Sequence, residues 1–230
     1  MKRHHDIGIP AGKVMLWGDL HLPPKASGIV VFAHGSGTTR RDPLNQLVAR
    51  RLEHAGFATL LVELLEEHET HDRHNVFDVE LQAGRLVEVA DWLAAAPRTR
   101  SLRLGYFGTG VGTGAALIAA AKAPARVAAI VSRGGRPDTA LYYVPQVKAP
   151  TLFISHGVGT TPNWIEAAHR ASTAEKQLVY VHRARELFQE PGAAEAVARH
   201  ARRWFRRYLA PEGGKPAVRQ RAPLKQPARS

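Results

Sequence analysis

The sequence predicts an α/β fold in which a doubly wound, mostly parallel sheet carries helices on both faces. Apolar runs alternate with amphipathic helical patterns along most of the chain. The central runs, at 30–33 and 128–131, are continuously apolar, which is typical of strands buried on both faces. A length of 230 residues suits one such domain. The predicted strands are 14–22, 28–33, 58–63, 102–107, 127–131, 151–155 and 178–182.

Four helices are predicted between these strands, at residues 43–55, 78–95, 111–122 and 193–209. Three of them place apolar side chains on one stripe, whereas the segment 111–122 is small and apolar throughout, which indicates a buried helix. Asp42 followed by Pro43 predicts the start of the first helix, because Asp is a good N-cap and Pro suits the first helical position. The polar connector 64–77 is long enough to act as a lid.

The segment Gly108-Thr109-Gly110-Val111-Gly112 joins a predicted strand to the buried helix. In the pattern G-x-S-x-G, the central residue lies at the tip of a sharp turn above the carboxyl edge of the sheet, where serine acts as a nucleophile. The flanking glycines let the strand and the helix approach each other. Here the glycines are kept, but Gly110 has no nucleophilic atom.

Several segments, in the same order, resemble the dienelactone-hydrolase-like branch of the α/β hydrolases, in the form that also occurs attached to phosphoribosyltransferases. The resemblance spans about residues 7–210 and implies the α/β-hydrolase fold and an ester or lactone hydrolase ancestry. Its markers are IPAG at 9–12, FAHGSG at 32–37, GYFG at 105–108, VSRGGRPD at 131–138, APTL at 149–152 and LFQEPG at 187–192.

The resemblance also implies where a catalytic triad would lie. The family carries serine at the elbow, aspartate after the APTL strand and histidine just before LFxEPG. These positions correspond to Gly110, to Gly159 or a neighbour within 157–160, and to Glu186. A serine hydrolase needs a nucleophile, a base and an orienting acid in mutual contact. The resemblance therefore predicts a pseudo-hydrolase in which all three positions are substituted.

The absence of a triad does not depend on the alignment of single positions. No serine occurs between Ser101 and Ser132, and no aspartate follows Asp138. The histidine nearest to the expected base is His182, which ends a predicted strand instead of lying in the following loop.

The backbone that would bind an oxyanion is expected to remain. By the resemblance, His34, Gly35 and Ser36 form the loop that supplies one N–H group, and Val111, next to Gly110, supplies the other. A glycine-rich turn at a helix N-terminus favours a carboxylate or phosphate. The alternative is a simple packed turn.

Further polar residues are candidates for lining the cleft, namely Arg40, Arg41, Ser132, Arg133, His156 and His182. Helix capping, structural hydrogen bonding and burial near the sheet edge are the competing explanations. His68, His71 and His74 lack a defined metal-ligand geometry, and a solvated lid is the favoured interpretation. We expect no metal and no cofactor.

The chain has a formal net charge of +12, and residues 182–230 hold twelve Lys or Arg against four acidic residues. We expect a domain at 1–210 and a basic tail at 211–230 that is disordered in isolation. Binding of nucleic acid or an acidic partner through 199–229 is an alternative to a solvated face. The aromatic residues of 193–209 fall on the apolar stripe, which favours the solvated face.

The composition excludes several classes of site and of protein. Without cysteine there are no disulfides, thiolate metal sites or cysteine nucleophile. No stretch approaches the ~18 apolar residues of a membrane span, and no secretory signal is evident, so a cytoplasmic location is expected. Three functions stay open: a pseudo-hydrolase that binds a small ligand or a partner, a hydrolase in which Glu186, His156 or His182 acts on water, and a module for nucleic acid or acidic partners.

Overall fold

The computed structural model describes residues 5–35, 39–156, 164–181, 184 and 188–210. Its strands are β1 His5–Ala11, β2 Val14–His21, β3 Ile29–Ala33, β4 Ala58–Val62, β5 Leu104–Thr109, β6 Val127–Arg133, β7 Thr151–His156 and β8 Lys176–Val181. Across these described ranges, eight strands form one sheet in the order β1-β2-β4-β3-β5-β6-β7-β8. Strands β3 to β8 are parallel, and β2 runs antiparallel to β1 and β4. The mostly parallel sheet predicted from the sequence is confirmed.

Helices cover both faces of the sheet, as predicted. They are α1 Pro43–Glu53, α2 Arg73–Phe77, α3 Val79–Ala95, α4 Val111–Lys122, α5 Trp164–Ala171 and α6 Ala193–Leu209. Helices α1 and α6 pack with one apolar cluster on one face, and α3, α4 and α5 pack with the other cluster on the opposite face. None of the helices in the described ranges is both long and apolar enough to cross a membrane.

Asp42 caps α1 as predicted, because its carboxylate accepts hydrogen bonds from the N–H groups of Leu44 and Asn45.

Close packing of α6 on the sheet explains the glycine at position 105 of β5. A Cβ at Gly105 would lie 2.7 Å from the ring of Phe205 in α6, so the helix approaches the sheet only because that side chain is missing.

Besides the short helix α2 in the connector 64–77, one strand and one helix were not predicted. Strand β1 pairs along its whole length with β2 at the edge of the sheet, where its Pro10 is tolerated because an edge strand has a side without a ladder partner. Helix α5 spans eight residues, which is shorter than the periodic patterns that identify a helix in a sequence.

The connector 64–77 is fixed to the body of the protein. It contains a 3-10 helix at Glu67–His71 and the short helix α2. Arg85 of α3 donates to both carboxylate oxygens of Glu69, each at 2.6 Å, and to the carbonyl oxygen of Leu64 at 2.7 Å. The hydrogen bond from Arg85 lowers the pKa of Glu69 below its usual range.

We predict that Glu69→Ala lowers the free energy of unfolding by about 3 kcal/mol, because it leaves a buried guanidinium without its acid. Denaturant unfolding measures this loss, and faster hydrogen exchange across 64–77 accompanies it. Since the folded pKa of Glu69 is depressed, its contribution is present above the unfolded carboxyl pKa and is lost as the pH falls through the folded pKa.

Glu67→Ala is the matched control, because Glu67 is exposed in the same 3-10 helix. It should change the free energy of unfolding by less than about 0.5 kcal/mol. Equal losses in both variants would contradict the anchoring role of Glu69.

Candidate functional site

The predicted sharp turn lies between β5 and α4. Strand β5 ends at Thr109, α4 begins at Val111, and Gly110 between them adopts φ +56° and ψ −131°. L-residues adopt such a positive φ only under strain, whereas glycine does so freely. The frame of a nucleophile elbow is therefore present, and a glycine stands at its tip.

Backbone from two other segments encloses the turn. A Cβ at Gly35, just after β3, would lie 2.3 Å from the amide nitrogen of Val111. A Cβ at Gly135, just after β6, would lie 2.5 Å from the carbonyl oxygen of Gly110. That oxygen also accepts a hydrogen bond from the N–H of Arg136 at 3.1 Å. Three strand ends thus meet at van der Waals distance around the elbow.

The position of Gly110 itself is open. Among the described residues, a Cβ built there comes closest to the backbone of Gly35, with the nearest atom at 3.5 Å. This is an ordinary van der Waals distance, so the described neighbours leave room for a Cβ at this position.

Gly159 and Glu186, two of the three positions that the family resemblance assigns to a triad, lie outside the described residues, as do Ser36 and His182. The strands that lead to them are described. Strand β7 ends at His156, which pairs in register with Val181 at the end of the parallel strand β8. Both strands therefore end at the same edge of the sheet as β5.

The two predicted oxyanion-binding segments are brought together. Gly35 packs against the first N–H groups of α4, with Val111 nearly buried. His34 is also buried, and its Nε2 lies 3.4 Å from Oε2 of Glu63. The first N–H groups of a helix have no partner within the helix, so this junction presents donors and the positive end of the helix dipole.

Arg40 and Arg41 line an open groove of about 860 Å³, together with Met15 and Trp17 of β2. The guanidinium of Arg40 is engaged by acids, because its Nη1 lies 2.6 Å from Asp6 and 2.9 Å from Asp19. It ties the β1–β2 hairpin to the loop before α1. Arg41 is exposed.

Ser132 and Arg133 end β6, and both are buried. Ser132 is in register with Gly108 of β5, and Arg133 with Thr109. The guanidinium carbon of Arg133 lies 5.8 Å from the ring centre of Phe188, whose ring is also 6.2 Å from that of His156. Burial lowers the pKa of Arg133 to about 10, which leaves it charged at neutral pH.

The sequence did not single out two further polar residues near this edge. The hydroxyl of Thr109 and both side-chain amide atoms of Asn45 are buried without a hydrogen-bond partner in the described ranges. A signal for Asn45 was available, since it falls on the helical face of Val48, Ala49 and Leu52. For Thr109, no sequence signal exists.

On α6, the aromatic residues Trp204 and Phe205 are buried, whereas Arg199, Arg202, Arg203, Arg206 and Arg207 are exposed. The aromatic side chains belong to the core, as their periodicity predicted. They are not available to stack on nucleic-acid bases.

The strand order and the glycine-framed turn after β5 define the α/β-hydrolase fold, and solved structures agree. The dienelactone hydrolase from Anabaena variabilis is 46% identical, superposes with a TM-score of 0.85, and covers 90% of this chain and 98% of its own. Est1E from Butyrivibrio proteoclasticus is 13% identical with a TM-score of 0.72 and coverage of 87% and 97%, which shows the fold alone.

Residues 18–212 match the dienelactone hydrolase family, and the chain belongs to that family. Proteins from Mycobacterium tuberculosis strains CDC 1551 and H37Rv, each named "Putative phosphoribosyl transferase", are 47% identical over 212 residues. The match covers 92% of this chain and 48% of each relative, so the chain spans about half of their length. The family inferred from the sequence is confirmed.

We predict that Gly110→Ala folds and loses about 1–3 kcal/mol of stability, because its Cβ fits but its φ is strained. Gly135→Ala should cost more than about 3 kcal/mol, since its Cβ would overlap the Gly110 backbone in addition to the strain. Denaturant unfolding of both variants checks the difference. A greater loss for Gly110→Ala than for Gly135→Ala would contradict the packing described for the elbow.

Proposed function

We propose that this member of the dienelactone hydrolase family is a pseudo-hydrolase, which binds a small ligand in the remnant cleft without hydrolysing it. The observation that carries the proposal is the glycine at the tip of an otherwise preserved elbow. Covalent catalysis at this point needs an oxygen or sulfur nucleophile, and neither glycine nor any cysteine supplies one.

The other two triad functions support the same conclusion. By the family resemblance, Gly159 stands where an acid would orient the base, and Glu186 stands where the base would be. A carboxylate at Glu186 has no hydroxyl at Gly110 from which to take a proton. One substitution would therefore not restore the mechanism.

Ligand binding is supported by what the elbow keeps. The first N–H groups of α4 and the loop after β3 still meet, and this arrangement stabilises negative charge in related serine hydrolases. Without a serine, the same donors face the ligand directly. The competing hypothesis is hydrolysis through His156, His182 or Glu186 acting on water.

We expect no hydrolysis of p-nitrophenyl acetate or of a simple lactone above the rate of the heat-inactivated protein, and no covalent labelling by a serine-reactive fluorophosphonate. Absorbance at neutral pH and intact-protein mass spectrometry measure these two results. Hydrolysis that falls in His156→Ala, His182→Ala or Glu186→Gln would support the displaced-residue mechanism and overturn the proposal.

The combined variant Gly110→Ser, Gly159→Asp, Glu186→His tests the scaffold. We expect it to acquire fluorophosphonate labelling and weak esterase activity, because the elbow retains its shape and space for a side chain. Gly110→Ser alone is the matched control and should label far more slowly, since a serine without a base is a weak nucleophile. Equal labelling of the two variants would contradict this account of the three positions.

A further inference from the structure

Two polar residues lie side by side at the carboxyl edge of the sheet, on the face covered by α1 and α6. Thr109 and Arg133 are register partners at the ends of β5 and β6. Two residues earlier, Phe107 and Val131 belong to the apolar cluster of that face. Because side chains alternate along a strand, Thr109 and Arg133 point to the same face.

In the part of the chain that the structure describes, no acidic side chain forms an ion pair with Arg133. This residue is 8% exposed, and among the described residues it forms neither an ion pair nor a side-chain hydrogen bond. The aromatic ring of Phe188 lies beside the guanidinium of Arg133. The negative charge of Asp42 acts on this guanidinium and favours its charged form. The Asp42 carboxylate already accepts two hydrogen bonds from the first turn of α1. Buried guanidinium groups are otherwise paired.

The first turn of α1 places a third polar group at the carboxyl edge of the sheet. Helix α1 follows β3, so its N-terminal end lies at the same carboxyl edge of the sheet. Asn45 is fully buried there, on the side of α1 that packs toward the sheet. The amide of Asn45 and the hydroxyl of Thr109 have no hydrogen-bond partner in the described part of the chain.

These groups have donors in common, although the amide oxygen of Asn45, also without a partner in the described ranges, is an acceptor. A guanidinium presents five N–H donors, a hydroxyl one donor and an amide two. Buried donors that lack protein acceptors are normally satisfied by water or by a bound ion. An oxyanion supplies several acceptors at once and neutralises the cation, and arginine binds phosphate and carboxylate groups in a bidentate manner.

We propose that Arg133, Thr109 and Asn45 form a binding site for a small oxyanion, the phosphate or carboxylate group of a ligand. This inference rests on the ligand-binding role proposed above and specifies the chemical class of that ligand. Arg133 supplies the charge, and Thr109 and Asn45 supply neutral donors. Arg40 is excluded from this role because Asp6 and Asp19 already neutralise it.

Thermal unfolding in the presence of inorganic phosphate, or of acetate, tests the site against sodium chloride at equal ionic strength. At an anion concentration ten times its Kd, the melting temperature should rise by roughly 3–6 °C. A rise with phosphate identifies a phosphate group, and a rise with acetate identifies a carboxylate. If neither anion exceeds chloride, the proposal is overturned.

Arg133→Met should abolish the rise while leaving the melting temperature of the anion-free protein unchanged or higher, because it replaces an unpaired buried cation by an apolar chain of similar length. Arg126→Met is the matched control. Arg126 precedes the first residue of β6, at the opposite end of the same strand, and pairs with Asp91 on the surface. The Arg126→Met variant should retain the full rise in melting temperature with the anion. If Arg133→Met keeps the rise, the site is not at Arg133.

Thr109→Val provides a second variant that does not alter charge. It should fold with a similar melting temperature and bind the stabilising anion about tenfold more weakly, since a hydrogen bond to a charged group is lost. Unchanged affinity in this variant would overturn the assignment of Thr109.

The pseudo-hydrolase proposal and the anion-site proposal can fail separately. Ester hydrolysis by the unmodified protein contradicts the pseudo-hydrolase, whereas the anion measurements do not depend on hydrolysis.

Discussion

Backbone crowding around Gly110 is the constraint on which the rest of the site depends. The end of β3 and the segment after β6 approach the turn so closely that Gly35 and Gly135 have no space for a Cβ. The contacts involve main-chain atoms, including the hydrogen bond from the N–H of Arg136 to the oxygen of Gly110. None of them requires a serine. The shape of the elbow can therefore persist when its chemistry is lost, and the helix dipole of α4 stays directed at the cleft.

The parts of the fold that were predictable are those in which burial leaves a pattern in the chain. Strands covered on both faces give continuous apolar runs, and the elbow gives regularly spaced glycines. Strand β1 escaped prediction because it lies at an edge and contains Pro10. The polar residues Thr109 and Asn45 could not be identified, because the lack of a partner for a buried polar atom is a property of tertiary packing.

Two arginines near the cleft had similar sequence signals but have different surroundings in the structure. Arg40 and Arg133 were equivalent candidates in the sequence, each close to a strand that ends at the carboxyl edge. In the structure, Arg40 lies among carboxylates and fastens the β1–β2 hairpin. Arg133 has the ring of Phe188 beside it and no ion pair among the described residues. The difference is one of charge compensation, since a buried cation without a partner is less stable than one paired with carboxylates.

The open space at Gly110 also bears on how such a site can change over time. Some glycine and serine codons differ by one base, and among the described residues the Cβ of a serine would meet nothing closer than 3.5 Å. Contact with the described backbone therefore does not exclude a Cβ at this position. By the family resemblance, the acid and base positions carry Gly159 and Glu186. On that assignment, a serine that arose alone would bear the strain of its backbone without a catalytic benefit. A working triad would then require changes at all three positions, and the first of them would bring strain before it brought activity.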